Sequence, residues 1–208
     1  MNIGLLGFGV VGGGVWELAQ ENRALNVKKV LVRREAPSLG KAAVQDVEAI
    51  LRDTEIDTVV EVLGGLHPAY EWICRALAAG KDVVTANKAV ISAYYRELTA
   101  LARENGVALR CTAAVGGGIP WLVNLQRCRR VDTVTEVGGI MNGTTNFIMD
   151  AMARQGADFP AVLQRAQELG YAEADPSADI DGDDIRRKLT ISANIAFDAL
   201  LREEDIPA

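Results

Sequence analysis

The sequence predicts an α/β protein, with a parallel sheet covered by helices over residues 1–115 and a smaller, partial α+β segment over 116–208. Three observations carry this. Short runs such as 3–6 and 58–63 are nearly continuous in apolar residues rather than alternating, as strands buried on both faces require. Helix-length segments separate successive runs, which is the spacing of parallel crossovers. The rhythm then breaks at Gly116-Gly117-Gly118-Ile119-Pro120, where chain breakers cluster.

Taken in order, residues 3–6 form an apolar run ending at Gly7, and 10–20 read as a helix. A second strand is predicted over 27–32 and a third over 57–63. Residues 68–79 read as a helix stopped by Gly80 in the C-cap role. Residues 82–85 are a fourth strand, about 92–105 a helix closed by Gly106, and 107–109 a fifth strand. Beyond the glycine cluster come a helix over 121–128, one long strand over 131–140, and helices near 144–155 and 160–169. A carboxylate-rich loop over 171–183 leads into a last helix from 184 to 201. The domain boundary falls within 112–120, with no internal repeat or low-complexity linker around it.

Composition narrows the class. Hydrophobic residues are 49% and charged residues 24% of 208, ordinary for a soluble globular chain. A net charge of −6 argues against a nucleic-acid surface, and the short cluster Arg127, Arg129, Arg130 reads as a solvated helix end. Cys74, Cys111 and Cys128 contain no C-x-x-C pair, which points to a reducing cytoplasm rather than a disulfide framework. The N-terminus opens directly on a strand pattern without a secretory leader, and no apolar run approaches the roughly 20 residues that span a bilayer.

Gly7-Phe8-Gly9-Val10-Val11-Gly12 fits G-x-G-x-x-G. Alone that pattern is weak; here a strand precedes it, a helix follows, and a second strand ends about 20 residues on, the context of a Rossmann-type dinucleotide site. Gly7 permits the tight turn, Gly9 lets the backbone approach a pyrophosphate, and Gly12 lets helix and strand pack closely. An NAD-selective site offers an acid at the end of the second strand. This one ends Val32-Arg33-Arg34, with Lys41 nearby, and Arg suits a 2′-phosphate, so NADP is favoured over NAD.

Lys88 follows the fourth strand in Thr85-Ala86-Asn87-Lys88, on the edge where open α/β sheets bind ligands. Glu173, Asp175, Asp179, Asp181, Asp183 and Asp184 crowd together and call for a nearby positive group. Calcium is the wrong answer: an EF-hand loop starting at Ser177 needs an acid there and a Glu where Lys188 stands. A cationic substrate together with Lys188 is the better one. Asp184 and Lys188 are spaced i, i+4 and share a helix face, either as a simple surface pair or as an acid that positions a proton-donating ammonium group.

The glycine turn, Glu61-Val62-Leu63-Gly64-Gly65, the stretch from Gly80 to Lys88, Ala113 through Pro120, Gly139-Ile140-Met141-Asn142-Gly143-Thr144-Thr145-Asn146 and Gly170-Tyr171-Ala172-Glu173-Ala174-Asp175-Pro176 through Lys188 together resemble the homoserine dehydrogenase family, in order along about 1–205. The resemblance implies NAD(P)-dependent interconversion of L-homoserine and L-aspartate 4-semialdehyde, on the route to threonine and methionine. It implies Lys188 as proton donor to the aldehyde oxygen, with Lys88 and Asp184 beside it in catalysis. Cofactor contacts are implied at the glycine turn, at Arg33 and Arg34, and at Leu63, Gly64 and Lys88. Gly143, Thr144, Tyr171, Glu173, Asp179 and Asp184 are implied to hold the substrate. A homodimer built on the second domain's sheet is also implied.

Two departures stand out. The family usually places a Glu, a ligand for a monovalent cation such as sodium, where this chain has Thr112; the backbone carbonyls matching the other ligands belong to Val115, Gly117 and Ile119. Loss of the carboxylate argues against tight binding there. Family members also continue beyond the last helix, so the chain reads as shorter than the usual catalytic unit. That raises an alternative, a non-catalytic dinucleotide-binding fragment or partner of a full-length enzyme. An aspartate-semialdehyde dehydrogenase would need an activated cysteine, and Cys74, Cys111 and Cys128 read as packing residues, with His67 the lone histidine.

Overall fold

The computed structural model describes residues 1–207. The chain divides into two compact units, Met1–Val123 and Asn124–Ala208.

The first unit alternates β1 (Asn2–Leu6), α1 (Val10–Glu21), β2 (Asn26–Leu31), β3 (Ala43–Val44), α2 (Glu48–Leu51), β4 (Thr58–Glu61), α3 (Ala69–Ala78), β5 (Asp82–Thr85), α4 (Lys88–Glu104) and β6 (Leu109–Arg110). The sheet is parallel throughout in the order β3-β2-β1-β4-β5-β6. From β1 the chain builds outward to β3, then crosses back to start again at β4. The reversal opens a crevice at the carboxyl ends of β1 and β4, where such sheets bind dinucleotides.

The all-apolar strands are buried as expected: Leu5, Leu6, Val30, Val59 and Val83 are inaccessible, Leu5 and Val30 sharing a core cluster with Ala19 of α1, and Ile73 and Leu77 of α3 and Leu98 of α4 are equally buried. Each large side chain contributes about 2 kcal/mol by leaving water. Gly4 is required, because a Cβ there would collide with Ile50 Cγ2 of the short helix packed on it. Several elements of this unit depart from the sequence reading, among them the four-residue helix α2, which it did not contain. β3, a sixth strand, is only two residues long, too short to display a period. Helix α4 starts at Lys88 instead of about residue 92, because the Asn87 side chain caps it by accepting from the Val90 N–H at 3.3 Å.

In the second unit, α5 (Trp121–Val131), which begins just before the division, is followed by α6 (Gly143–Gln155), α7 (Phe159–Glu168), α8 (Ser177–Ile180) and α9 (Asp183–Phe197). Ile148 and Ala151 of α6 pack on Val162 and Ala166 of α7 and on Ala172. Gly156 ends α6 in the left-handed region at φ 63°, the C-cap role for which glycine is suited. Arg129, at the exposed end of α5, also donates its guanidinium to the Ile195 carbonyl at 2.7 Å and pairs with Asp198 at 3.2 Å, meeting the last turn of α9. Asn194 clamps the following segment by bonding both the N–H and the C=O of Leu201.

The strand expected over 131–140 does not form. The α5 helix runs to Val131, and the residues after it are irregular and largely exposed, with Ile140 82% accessible. A β-branched segment makes a strand only when a neighbour takes up the backbone bonds, and this unit contains no strand among the described residues. No helix among the described residues is long and apolar enough to cross a membrane.

Candidate functional site

In the first unit the glycine turn joins β1 to α1. Gly7 sits at φ 105°, and a Cβ on it would press on the Val62 carbonyl and Leu63. A Cβ on Gly12 would collide with the Gly7 carbonyl oxygen. Gly9, the N-cap of α1, has nothing within 4 Å of where its Cβ would be. Two glycines are therefore demanded by the fold, whereas the third leaves open space. No acidic residue occupies the first turn of α1, so its N–H groups and dipole face outward for an anion. Val10 and Val11 are exposed there.

The turn opens onto a cleft of about 910 Å³, lined by Gly7, Phe8, Gly9, Arg33, Arg34, Leu63 and Trp72 among others. Both arginines are exposed. They form a basic rim at the end of β2 beside the glycine turn. Gly64 and Gly65, both at positive φ, continue the loop from Leu63. Lys88 is half-buried at the first position of α4.

In the second unit, one residue organises the predicted cluster. Asn142, only 5% exposed, caps α6: its Oδ1 accepts from the Thr145 N–H at 2.8 Å and the Thr145 hydroxyl at 3.0 Å. Its Nδ2 donates to Asp179 Oδ1 at 2.6 Å and Asp184 Oδ2 at 2.9 Å. Asp184 Oδ2 also pairs with Lys188 Nζ at 2.8 Å, and Lys188 donates to the Met141 carbonyl at 2.6 Å. The Lys188 and Asp184 side chains are 19% and 9% accessible, so this is not a solvated i, i+4 pair. Two acids, an amide and an ammonium thus share one partly shielded spot, which suits recognition of an ammonium-bearing substrate and proton delivery to an oxygen.

The other predicted substrate residues spread around the start of α6. Gly143 is its exposed first residue; Thr144 is buried and its hydroxyl donates to the Tyr171 carbonyl at 2.6 Å. The Tyr171 ring, exposed, stacks on Phe147 with centroids 4.8 Å apart. Glu173 is exposed, its backbone carbonyl held by Gln167 Nε2 at 3.1 Å. Asn142 lies within a motif recognised in the sequence, yet its bridging role was not; a polar residue just before a helix signals a cap, and nothing local reveals that its other end reaches residues 37 and 42 positions later.

The cation carbonyls fit poorly. The Ile119 carbonyl accepts from the Trp121 N–H at 2.7 Å, and Thr112, opening a 3₁₀ turn, offers no carboxylate. Among the described residues no group of three or more His, Cys, Asp or Glu side chains is arranged to hold a metal. The cysteines do not suit covalent catalysis. Burial pushes the Cys111 thiol up to about 11 and also raises Cys74, while His67 pairs with Glu71 at 2.7 Å on the surface.

Comparison with known proteins agrees with this layout. Residues 7–112 match the homoserine dehydrogenase NAD-binding domain, and 120–208 match the domain named for homoserine dehydrogenase itself. The chain is 44% identical to homoserine dehydrogenase of Synechocystis sp., over 99% of this chain and 50% of that protein. It superposes on the crystal structure of homoserine dehydrogenase from Thiobacillus denitrificans with a TM-score of 0.92 at 41% identity, covering 98% of this chain and 50% of that one. A hyperthermophilic archaeal homoserine dehydrogenase solved in complex with NADPH gives a TM-score of 0.79 at 27% identity, over 95% of this chain and 70% of that one. The chain thus spans about half the length of the curated relatives it matches. With both halves matched in order and the glycine cradle and lysine–carboxylate cluster where that order predicts them, the chain belongs to the homoserine dehydrogenase family.

Proposed function

We propose that the chain carries homoserine dehydrogenase chemistry, the interconversion of L-homoserine and L-aspartate 4-semialdehyde, with residues 1–115 binding NADP in preference to NAD and 116–208 binding the amino acid. The observation that carries this reading is the shielded Lys188–Asp184 pair joined through Asn142 to Asp179. Gly7–Gly12 with the start of α1 would take the pyrophosphate, Arg33 and Arg34 the 2′-phosphate, and Leu63, Gly64 and Lys88 the remainder. When bound, the nicotinamide supplies or accepts the hydride.

This chain's residues manage charge and protons. Asp179, Asp184 and Glu173 attract the substrate's α-ammonium group, and Gly143, Thr144 and Tyr171 shape its pocket. Two of the three Lys188 ammonium hydrogens go to Asp184 and the Met141 carbonyl, which leaves the third for the aldehyde oxygen. In reduction that proton passes from Nζ to the developing alkoxide; in oxidation it returns. The carbonyls of Val115, Gly117 and Ile119 are a poor cation site without a carboxylate at Thr112, and no step depends on one. By family resemblance the protein acts in the cytoplasm as a homodimer.

The test is NADP-dependent oxidation of L-homoserine by the purified chain, run beside NADPH binding by fluorescence. Lys188→Ala abolishes turnover and leaves NADPH affinity within about threefold, a shift of under about 1 kcal/mol. A large loss of cofactor affinity refutes the role given to that lysine. Cofactor binding by the wild-type chain without turnover favours a dinucleotide-binding fragment instead.

A further inference from the structure

The Glu61 side chain is fully buried at the carboxyl end of β4, and nothing proposed above uses it. Its Oε1 accepts from the Leu63 N–H at 2.8 Å and from Asn87 Nδ2 at 3.3 Å; its Oε2 accepts from the Thr85 hydroxyl at 2.6 Å. The Thr85 oxygen accepts in turn from the Asn87 N–H at 2.9 Å. Asn87 Nδ2 also reaches the Gly65 carbonyl at 2.8 Å, and Asn87 caps α4. A carboxyl group in a strand otherwise built from Thr58, Val59 and Val60 costs desolvation that an apolar residue would avoid. Its three bonds join the loop after β4, with its positive-φ Gly64 and Gly65, to the end of β5 at Thr85 and to Asn87 in the loop that launches α4 at Lys88.

We infer that Glu61 is a positioning residue, locking the 62–65 loop and the start of α4 in the shape that receives the nicotinamide half of the dinucleotide. The inference rests on the reading that the first unit binds NADP. In this strand order the adenosine ribose lies by the end of β2 and the dinucleotide crosses the β1/β4 crevice. The loops after β4 and β5 therefore lie on the nicotinamide side. Glu61 acts on that half alone, while the adenosine half depends on Arg33 and the glycine turn.

The experiment compares dissociation constants of NADPH and of adenosine 2′-phosphate 5′-diphosphate, which lacks the nicotinamide riboside, for wild type, Glu61→Ala and Glu61→Gln. Glu61→Ala weakens NADPH about tenfold, as expected for loss of bonds to a buried polar anchor, and leaves the adenosine fragment within about twofold. Glu61→Gln keeps Oε1 with its two donors and weakens NADPH by about threefold, again without touching the fragment. Should Glu61→Ala not fold, Glu61→Gln decides the matter on the same two ligands. Equal weakening of both ligands shows a merely structural role and overturns the inference, as does unchanged NADPH binding in both variants. A wild-type chain that binds neither ligand overturns the cofactor reading, and this inference with it.

Discussion

Replacing Asn142 by Asp tests the polar hub most sharply, because the shape is kept and only the donors change. The introduced carboxyl can still cap α6, where Asp serves as well as Asn. It faces Asp179 Oδ1 at 2.6 Å and Asp184 Oδ2 at 2.9 Å across what had been N–H bonds. Two hydrogen bonds to carboxylates, each worth about 1.5–3 kcal/mol, become contacts between anions. Repulsion cannot grow without limit, because the folded protein can take up a proton. Doing so costs about 1.4 kcal/mol for each pH unit above the ordinary Asp value near 3.9, or about 5 kcal/mol at about pH 7.5. At about pH 5 the same proton costs about 1.5 kcal/mol. A group whose folded pKa is raised contributes stability that is lost as pH rises, so the variant gains relative to wild type on acidification. Urea denaturation followed by circular dichroism, for both proteins at both pH values, should show a penalty of about 3–5 kcal/mol near neutrality that shrinks by about 2–3 kcal/mol at about pH 5. A penalty that stays the same within about 1 kcal/mol refutes the placement of the amide between two carboxylates.

Further outcomes follow from single sites. Arg33→Ala should weaken NADPH about tenfold more than NADH, since one charge-assisted phosphate bond is lost; equal effects in a fluorescence titration would remove the case for 2′-phosphate recognition. Toward a chromogenic disulfide reagent at about pH 8, the exposed Cys128 should react readily. Buried Cys111, with its thiol pushed up to about 11, has about one thiolate in a thousand and should react only on unfolding; rapid reaction in the native protein contradicts its burial. Asp57 accepts from the Asn2 N–H at 2.9 Å and the Thr58 hydroxyl at 2.7 Å, which holds its carboxyl below the usual range. Its contribution is present above the unfolded value and lost as pH falls through the folded one. Asp57→Asn should therefore cost under about 1 kcal/mol at neutral pH, the group being solvent-exposed, and nothing measurable once the wild type is acidified below that value.

Much of the nucleotide-binding half was legible because its signals are local. Gly7 and Gly12 are forced by backbone contacts within a turn and one neighbouring loop, and the strands buried on both faces write themselves as apolar runs. Short pieces such as Ala43–Val44 escaped, since two residues carry no period and earn their place only by pairing with β2. Residues 131–140 misled in the opposite direction. Their β-branched content is a strand signal, but hydrogen-bond partners are a property of neighbours, and among the described residues of its own unit the segment meets no strand.

The chain's order of residues by itself determined the family, the glycine cradle, the basic end of β2 and the identity of the lysine and carboxylates, because each is a short-range pattern or a choice of side-chain chemistry. Only tertiary folding decided how those groups meet. It brought Asp179 and Asp184 onto the two hydrogens of one amide, set Lys188 against the Met141 carbonyl, and buried Glu61 under three donors from two loops and the end of β5. Hydrogen bonds are specified by distances of about 3 Å between atoms that are dozens of residues apart in sequence, and that proximity exists only once the helices and strands have packed.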